Sequence, residues 1–299
     1  MVSSISLGLS DPDDCKSEVD IANTLQDLVN GATDSASGAR DIDKVVVDEC
    51  RQTDNPRPSG WQRYLWDCLG KAAMAVPADH PGQDRLVELL RELQRLPRHE
   101  VPEKVGDELF HKELWVLAPE NKYDGFEQQL WELDQGTFTA TQQVERSEAI
   151  AASYVNFSAF LARLLAGAVV EATRLSALIR PSPFATVNPL TSAAYADASE
   201  AARHYEPWAS AAAQWILRAA DALHEMCEGE TLIEIGRQKW TPALWDGWKS
   251  RFAAVAKTEQ FGGRARELAS AALERMAEAE SKGVTTNVGD KFGFMSLKE

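Results

Sequence analysis

The chain has 299 residues, 44% hydrophobic and 26% charged, the balance of an ordinary globular protein with enough apolar material for a sizeable core. Its 31 basic residues stand against 46 acidic ones, a formal charge of −15, which repels phosphate backbones and anionic lipid, so neither nucleic acid nor a membrane is expected as a partner. The densest basic stretch interleaves Arg91, Arg95, Arg98 and Lys104 with Glu92, Glu100 and Glu103, the pattern of a solvated helix face and its exit loop.

Cys15, Cys50, Cys68 and Cys227 lie far apart with no Cys-x-x-Cys, so reduced thiols are expected rather than a zinc knuckle or a redox pair. The start, MVSSISLGLSDPDD, has no basic region and too short an apolar run for a signal peptide. The sequon Asn156-Phe157-Ser158 falls inside a helix expected to be buried. Both points favour an intracellular, cytoplasmic protein.

In chain order, residues 1–16 are expected to be disordered. A first helix spans Ser17 to Asn30 and stops at Gly31, and a second spans about Ala39 to Gln52. After Asn55-Pro56-Arg57-Pro58, Ser59-Gly60-Trp61-Gln62 has capping-box spacing and opens a helix with Trp61, Leu65, Trp66 and Leu69 inward. Leu86, Leu89, Leu90, Leu93 and Leu96 recur at helical spacing up to Pro97, the cleanest amphipathic pattern in the chain. Val105, Leu109, Leu114, Trp115 and Leu117 suggest a short helix within residues 98–120, and Tyr123 to Asp134 predicts another that buries Phe126, Leu130, Trp131 and Leu133.

Residues 149–170 carry Arg163 as their only charge, so a helix there is apolar nearly all round and therefore buried. The expected central helix runs over about 145–179 and stops at Pro181. Helices follow at Leu190 to His204, from Glu206-Pro207 to Cys227, from Thr241-Pro242 with a cap and a first-turn proline, and at Ala265 to Ala279. No segment reads as a strand. The fold class is all-α: about ten helices in one domain over 17–280, with a flexible tail at 281–299. A seven-residue echo, Trp61-x-x-x-Leu65-Trp66-Asp67 against Trp240-x-x-x-Leu244-Trp245-Asp246, is too short to mark a duplication.

The stretches Trp61 to Pro97, Asn156 to Leu164 (NFSAFLARL), Ala211 to Ile216, Trp245 to Phe252 and Ala271 to Glu278 resemble a family of uncharacterised fungal proteins known by a domain of unknown function, DUF3632. The resemblance spans most of residues 60–280 and implies an all-helical fold and a fungal source. It implies no activity and no catalytic residues.

The candidate sites come from the residues themselves. At 100° per residue, Asn156, Phe160, Arg163, Gly167 and Arg174 fall close to one line. A guanidinium in a buried helix needs a partner, either a carboxylate of a neighbouring helix, the commoner arrangement, or a bound anion. Trp61, Trp66, Trp245 and Trp248 could line a cleft, although tryptophans more often fill cores. Gln214, Arg218, Asp221 and Glu225 lie opposite the apolar side of their helix, where a solvated face is expected. His80 sits at a helix entrance, the place of a local hydrogen-bonding residue. No His-x-x-x-His, nucleophile elbow, phosphate loop or dinucleotide fingerprint is present, so no metal and no cofactor is expected. The composite expectation is a non-catalytic module that binds a protein partner or an apolar small molecule. Its rival is a metal-free enzyme of small-molecule metabolism with an aromatic pocket anchored by Arg163.

Overall fold

The computed structural model describes residues 4–141, 147–175, 178–179, 197–232 and 239–282. The protein is all-α: ten helices and one two-stranded sheet lie among the described residues. The backbone divides into two compact units, Met1–Gly136 and Thr137–Glu299, so the expected 17–280 range spans both. The stretch from Pro181 into the start of the expected Leu190 helix, residues 233–238 and the tail after Lys282 lie outside the described residues.

In the first unit, α1 (Lys16–Asn30) ends where Gly31 turns left-handed at φ 76°. The N–H of Ala32 then donates to Asp27 at 2.8 Å and that of Gly31 to Leu28 at 3.0 Å, which satisfies carbonyls the helix leaves open. α2 (Ser35–Gln52) starts earlier than expected because the Asp34 carboxylate accepts the Ser37 N–H at 2.8 Å. α3 (Pro58–Ala75) opens on its proline rather than on a Ser59–Gln62 capping box. Both amide atoms of Gln62 are buried without a hydrogen-bond partner among the described residues. α4 (Gly82–Arg95) buries Leu86, Leu89, Leu90 and Leu93 completely. Helices α1, α2 and α4 pack on one another around Ile21, Leu25, Ile42, Val46 and these leucines. Part of the stretch before α1 is laid along that helix. The Ile5 N–H donates to Asn30 Oδ1 and the Leu7 N–H to Gln26 Oε1, each at 2.8 Å, and Leu7 is buried.

A β-hairpin stands where a short helix is expected. β1 (Glu100–Val105) pairs antiparallel with β2 (Glu108–Glu113), with Lys104 opposite Leu109 and Pro102 opposite His111. The two-residue connection is Gly106-Asp107, with Gly106 at φ 62° and Asp107 outside the left-handed region, the geometry of a type II′ turn. Helical spacing of the apolar residues obscures this short turn signal.

The turn Pro119–Gly125 leads into α5 (Phe126–Thr141). Lys122, Tyr123 and Asp124 have φ of 54°, 54° and 55°, and Gly125 follows at 83°, a left-handed run that L side chains avoid. In α5, Phe126, Leu130 and Asp134 are buried. Trp131, expected inside, is 45% exposed, because it sits about 140° round the helix from Phe126.

In the second unit, α6 (Glu148–Ala166) is capped by Ser147, whose hydroxyl accepts the Ile150 N–H at 3.3 Å. Phe157, Phe160, Leu161 and Leu164 are fully buried. By length and composition α6 could cross a membrane, and half of its most apolar 18-residue window is buried in the protein. It stops at Ala166 and does not continue to Ile179. Ala168 turns left-handed at φ 50°, and the N–H groups of Ala168 and Val169 donate to Leu165 and Leu164, both at 3.0 Å. This closure normally has glycine at the left-handed position; Gly167 stands one residue too early to advertise it. A single turn, α7 (Ala172–Leu175), follows.

α8 (Ala198–Glu228) is one helix where two are expected. Its start is set by the Asp197 carboxylate, which accepts the Glu200 N–H at 2.8 Å, and it continues through Pro207. α9 (Pro242–Lys257) begins as expected, with the Thr241 hydroxyl accepting the Leu244 N–H at 3.3 Å. α10 (Gly263–Ser281) completes the unit. α8 packs against α6, α9 and α10.

Candidate functional site

Ser59, Arg63 and Trp66 follow one another at i, i+4 and i+7 on α3 and so share a face. They line a cavity of about 380 Å³ in the first unit together with Lys112 of β2, Asp124 and Gly125 of the left-handed turn, and Gln128, Gln129 and Glu132 of α5. Lys112 Nζ lies 2.7 Å from Asp124 Oδ1 and donates to Ser59 Oγ at 2.9 Å. Both charged side chains are largely withdrawn from water, at 19% and 14% exposure. The indole N–H of Trp66 donates to the Asp124 carbonyl at 3.0 Å, which ties the strained turn to α3. Asp124 Oδ2 is buried and has no hydrogen-bond partner among the described residues.

The α5 wall is polar too. Gln128 donates to Glu132 at 2.9 Å, and Gln129 donates to Asp67 at 3.2 Å. Asp67 in turn sits 2.7 Å from Lys71, and its hydrogen bond raises the Lys71 pKa. Arg63 is exposed. Cationic Arg63 and Lys112 and anionic Asp124 and Glu132 thus surround one space, which suits a polar molecule with donors and acceptors better than an apolar one.

Of the residues singled out from the sequence, Trp66 lines this cavity. Trp61 is half-buried on α3, edge-on to Tyr64 at 6.2 Å. Asn156, Phe160 and Arg163 do lie along α6, but only Phe160 is fully buried; Asn156 and Arg163 are half-buried, and Arg163 Nη1 donates to Ala159 of its own helix at 3.2 Å. Gln214 corrects the expectation of a solvated face, being 1% exposed, with no partner for its Oε1 among the described residues. Residues 211–216 of α8 are all buried, because α6, α9 and α10 pack on the helix, so its polar side is enclosed at this level instead of solvated. His80 is the local element expected: its Nδ1 accepts the Gly82 N–H at 3.0 Å.

Trp245 and Trp248 meet in the second unit, with ring centroids 5.9 Å apart, and Trp240 joins them edge-on to Trp248 at 5.3 Å. The His224 ring is 4.9 Å from Trp245. The indole N–H of Trp245 donates to Glu280 Oε1 at 2.8 Å, and Lys249 Nζ donates to the same oxygen at 2.7 Å. Burial would raise the Glu280 pKa, but these hydrogen bonds and the Lys249 charge outweigh it and hold the carboxyl below its ordinary value. Trp240 and Trp248 are fully buried and their N–H groups have no acceptor among the described residues. Trp240, Trp245 and Trp248 are core.

Sequence reasoning passed over Arg63, Lys112, Asp124 and the α5 amides. Among the described residues no group of three metal-ligating side chains comes together.

A family model described as a protein of unknown function, DUF3632, matches residues 66–252. The chain belongs to this family. The DUF3632 match takes in Trp66, Lys112, the left-handed turn and the α5 wall of the cavity; Ser59 and Arg63 precede it. No curated protein and no solved structure matches the chain.

Proposed function

We propose that this DUF3632 protein is an intracellular, non-catalytic binding module, and that its first unit takes a small polar ligand in the cavity between α3 and α5. The observation that carries the reading is the Lys112–Asp124 pair, 2.7 Å apart and mostly withdrawn from water at the cavity wall, with Arg63 beside it. Withdrawing two charges from water is expensive and seldom the cheapest way to hold a fold together; a ligand that uses their fixed direction gives the expense a purpose. Charges of both signs favour a dipolar or zwitterionic molecule over an apolar one. The described cysteines carry no disulfide, in keeping with a reducing compartment.

The test is a thermal-shift screen of the full chain against free amino acids, polyols and nucleosides, each followed by calorimetric titration. A ligand whose affinity falls at least tenfold in Arg63→Ala or Gln128→Ala and is unchanged in Arg163→Met supports the cavity. A ligand that depends on Arg163 and ignores both cavity variants overturns it.

A further inference from the structure

The hairpin treats its two edges differently. On β1, the N–H of Lys104 points away from β2 and donates to the Pro56 carbonyl at 2.9 Å, and Pro102 has no N–H to offer. That edge is both covered and blunted, as exposed edges usually are. Lys104 faces Leu109 and Pro102 faces His111. In an antiparallel ladder, facing residues whose N–H groups point outward on one strand do so on the other. The backbone groups of Leu109, His111 and Glu113 are therefore turned away from β1, and none of their N–H groups has a partner among the described residues. The side chains beside this edge are exposed and apolar at the tip: Val105 59%, Leu109 62% and Phe110 47%.

We propose that β2 is a docking edge, which a basic, extended segment of another protein extends by strand addition. The backbone of Leu109, His111 and Glu113 supplies the hydrogen bonds, and Phe110 and Leu109 supply apolar contact on the two faces. Charge chooses the occupant. Glu100, Glu103, Asp107, Glu108 and Glu113 outnumber Lys104 and Lys112 in the hairpin, so a second copy of this chain meets like charge and a lysine- or arginine-bearing strand meets opposite charge. This surface is separate from the ligand reading of the cavity, because His111 and the outward backbone groups do not line it.

The experiment titrates the full chain with two acetylated, amidated probe peptides, one alternating lysine with valine and one alternating glutamate with valine. Binding of the lysine peptide is compared in His111→Pro, which deletes an outward N–H that β1 does not use, and in His111→Ala, which keeps it. The expected result is binding of the lysine peptide, weakened at least tenfold by His111→Pro and less than twofold by His111→Ala. Hydrogen exchange on the unmutated protein gives a readout independent of the variants: the amides of Leu109, His111 and Glu113 should exchange freely alone and slow at least tenfold with the peptide. Equal binding by both variants with no slowing would show that charge alone attracts the peptide, and would overturn the proposal. So would equal binding of the glutamate peptide, or a concentration-dependent dimer that His111→Pro abolishes.

Discussion

Gln83 closes the end of a helix to which it does not belong: from α4, its buried Nε2 donates to the Ala73 carbonyl at 2.9 Å and to the Val76 carbonyl at 2.7 Å, at the C-terminus of α3. Helix ends leave carbonyls that must find donors, and an amide fixed in a core supplies them without water. Gln83→Leu keeps the volume and strands both acceptors. The expected cost is about 2–3 kcal/mol, read as a lower midpoint in urea denaturation with an unchanged slope.

Gly70 lies in α3 against Leu133 of α5, and a Cβ at position 70 would collide with Leu133 Cδ1. In an open helix, glycine to alanine gains about 1 kcal/mol. Here the sign should reverse, with Gly70→Ala costing about 1–3 kcal/mol through overpacking. Leu133→Ala in the same chain removes the obstacle, so the double variant should be more stable than the sum of the single effects predicts. Simple additivity in thermal melts would show that the helices do not approach this closely.

The Glu280 carboxyl is held below its ordinary pKa of 4.5. A carboxylate with a depressed folded pKa contributes stability that is present above the unfolded value and is lost as pH falls through the folded one. The second unit should therefore weaken progressively below about pH 4.5. Glu280→Gln should cost roughly 1 kcal/mol at neutral pH, a figure kept small because the side chain is one-third exposed. It should also flatten the acid limb of the melting temperature against pH, which scanning calorimetry of the two proteins will display.

Burial pushes the thiols of Cys50 and Cys68 up to about 11 and that of Cys227 up to about 12, whereas Cys15 is exposed. The thiolate is the reactive form. Iodoacetamide at mild alkaline pH should place one adduct on the native chain, at Cys15, and all four only after denaturation. Intact-mass spectrometry followed by peptide mapping would reveal a second native adduct if a buried thiol were open.

Local chemistry was the legible part of this fold. The leucine spacing of α4, the Gly31 stop and the Thr241-Pro242 start each act within a few residues, and each reads directly from the chain. Gly106-Asp107 was equally local, yet the helical spacing of its apolar neighbours concealed it. The end of α6 was not legible, because the left-handed turn falls on Ala168 and not on a glycine. The cavity is a harder case. Arg63, Lys112, Asp124 and Gln129 come from a helix, a strand, a turn and a second helix, and no periodicity links them; only Trp66 drew notice, and it did so by its bulk.

The run of left-handed backbone from Lys122 to Gly125 sets local folding against use. Each of its non-glycine residues costs about 1–2 kcal/mol relative to a right-handed one, and glycine would relieve that strain. Yet Tyr123 is buried, and the Asp124 carboxylate meets Lys112. A library that varies positions 112 and 124 together, sorted for thermal resistance alone, should thus enrich glycine or asparagine at 124 with an apolar residue at 112, because losing the carboxylate alone strands the Lys112 ammonium, and the survivors should be a sturdier protein with a blank wall where the pair stood. Selection for holding a ligand would drive position 124 back to aspartate, so what is conserved at this turn in a natural population measures how much the cavity is used.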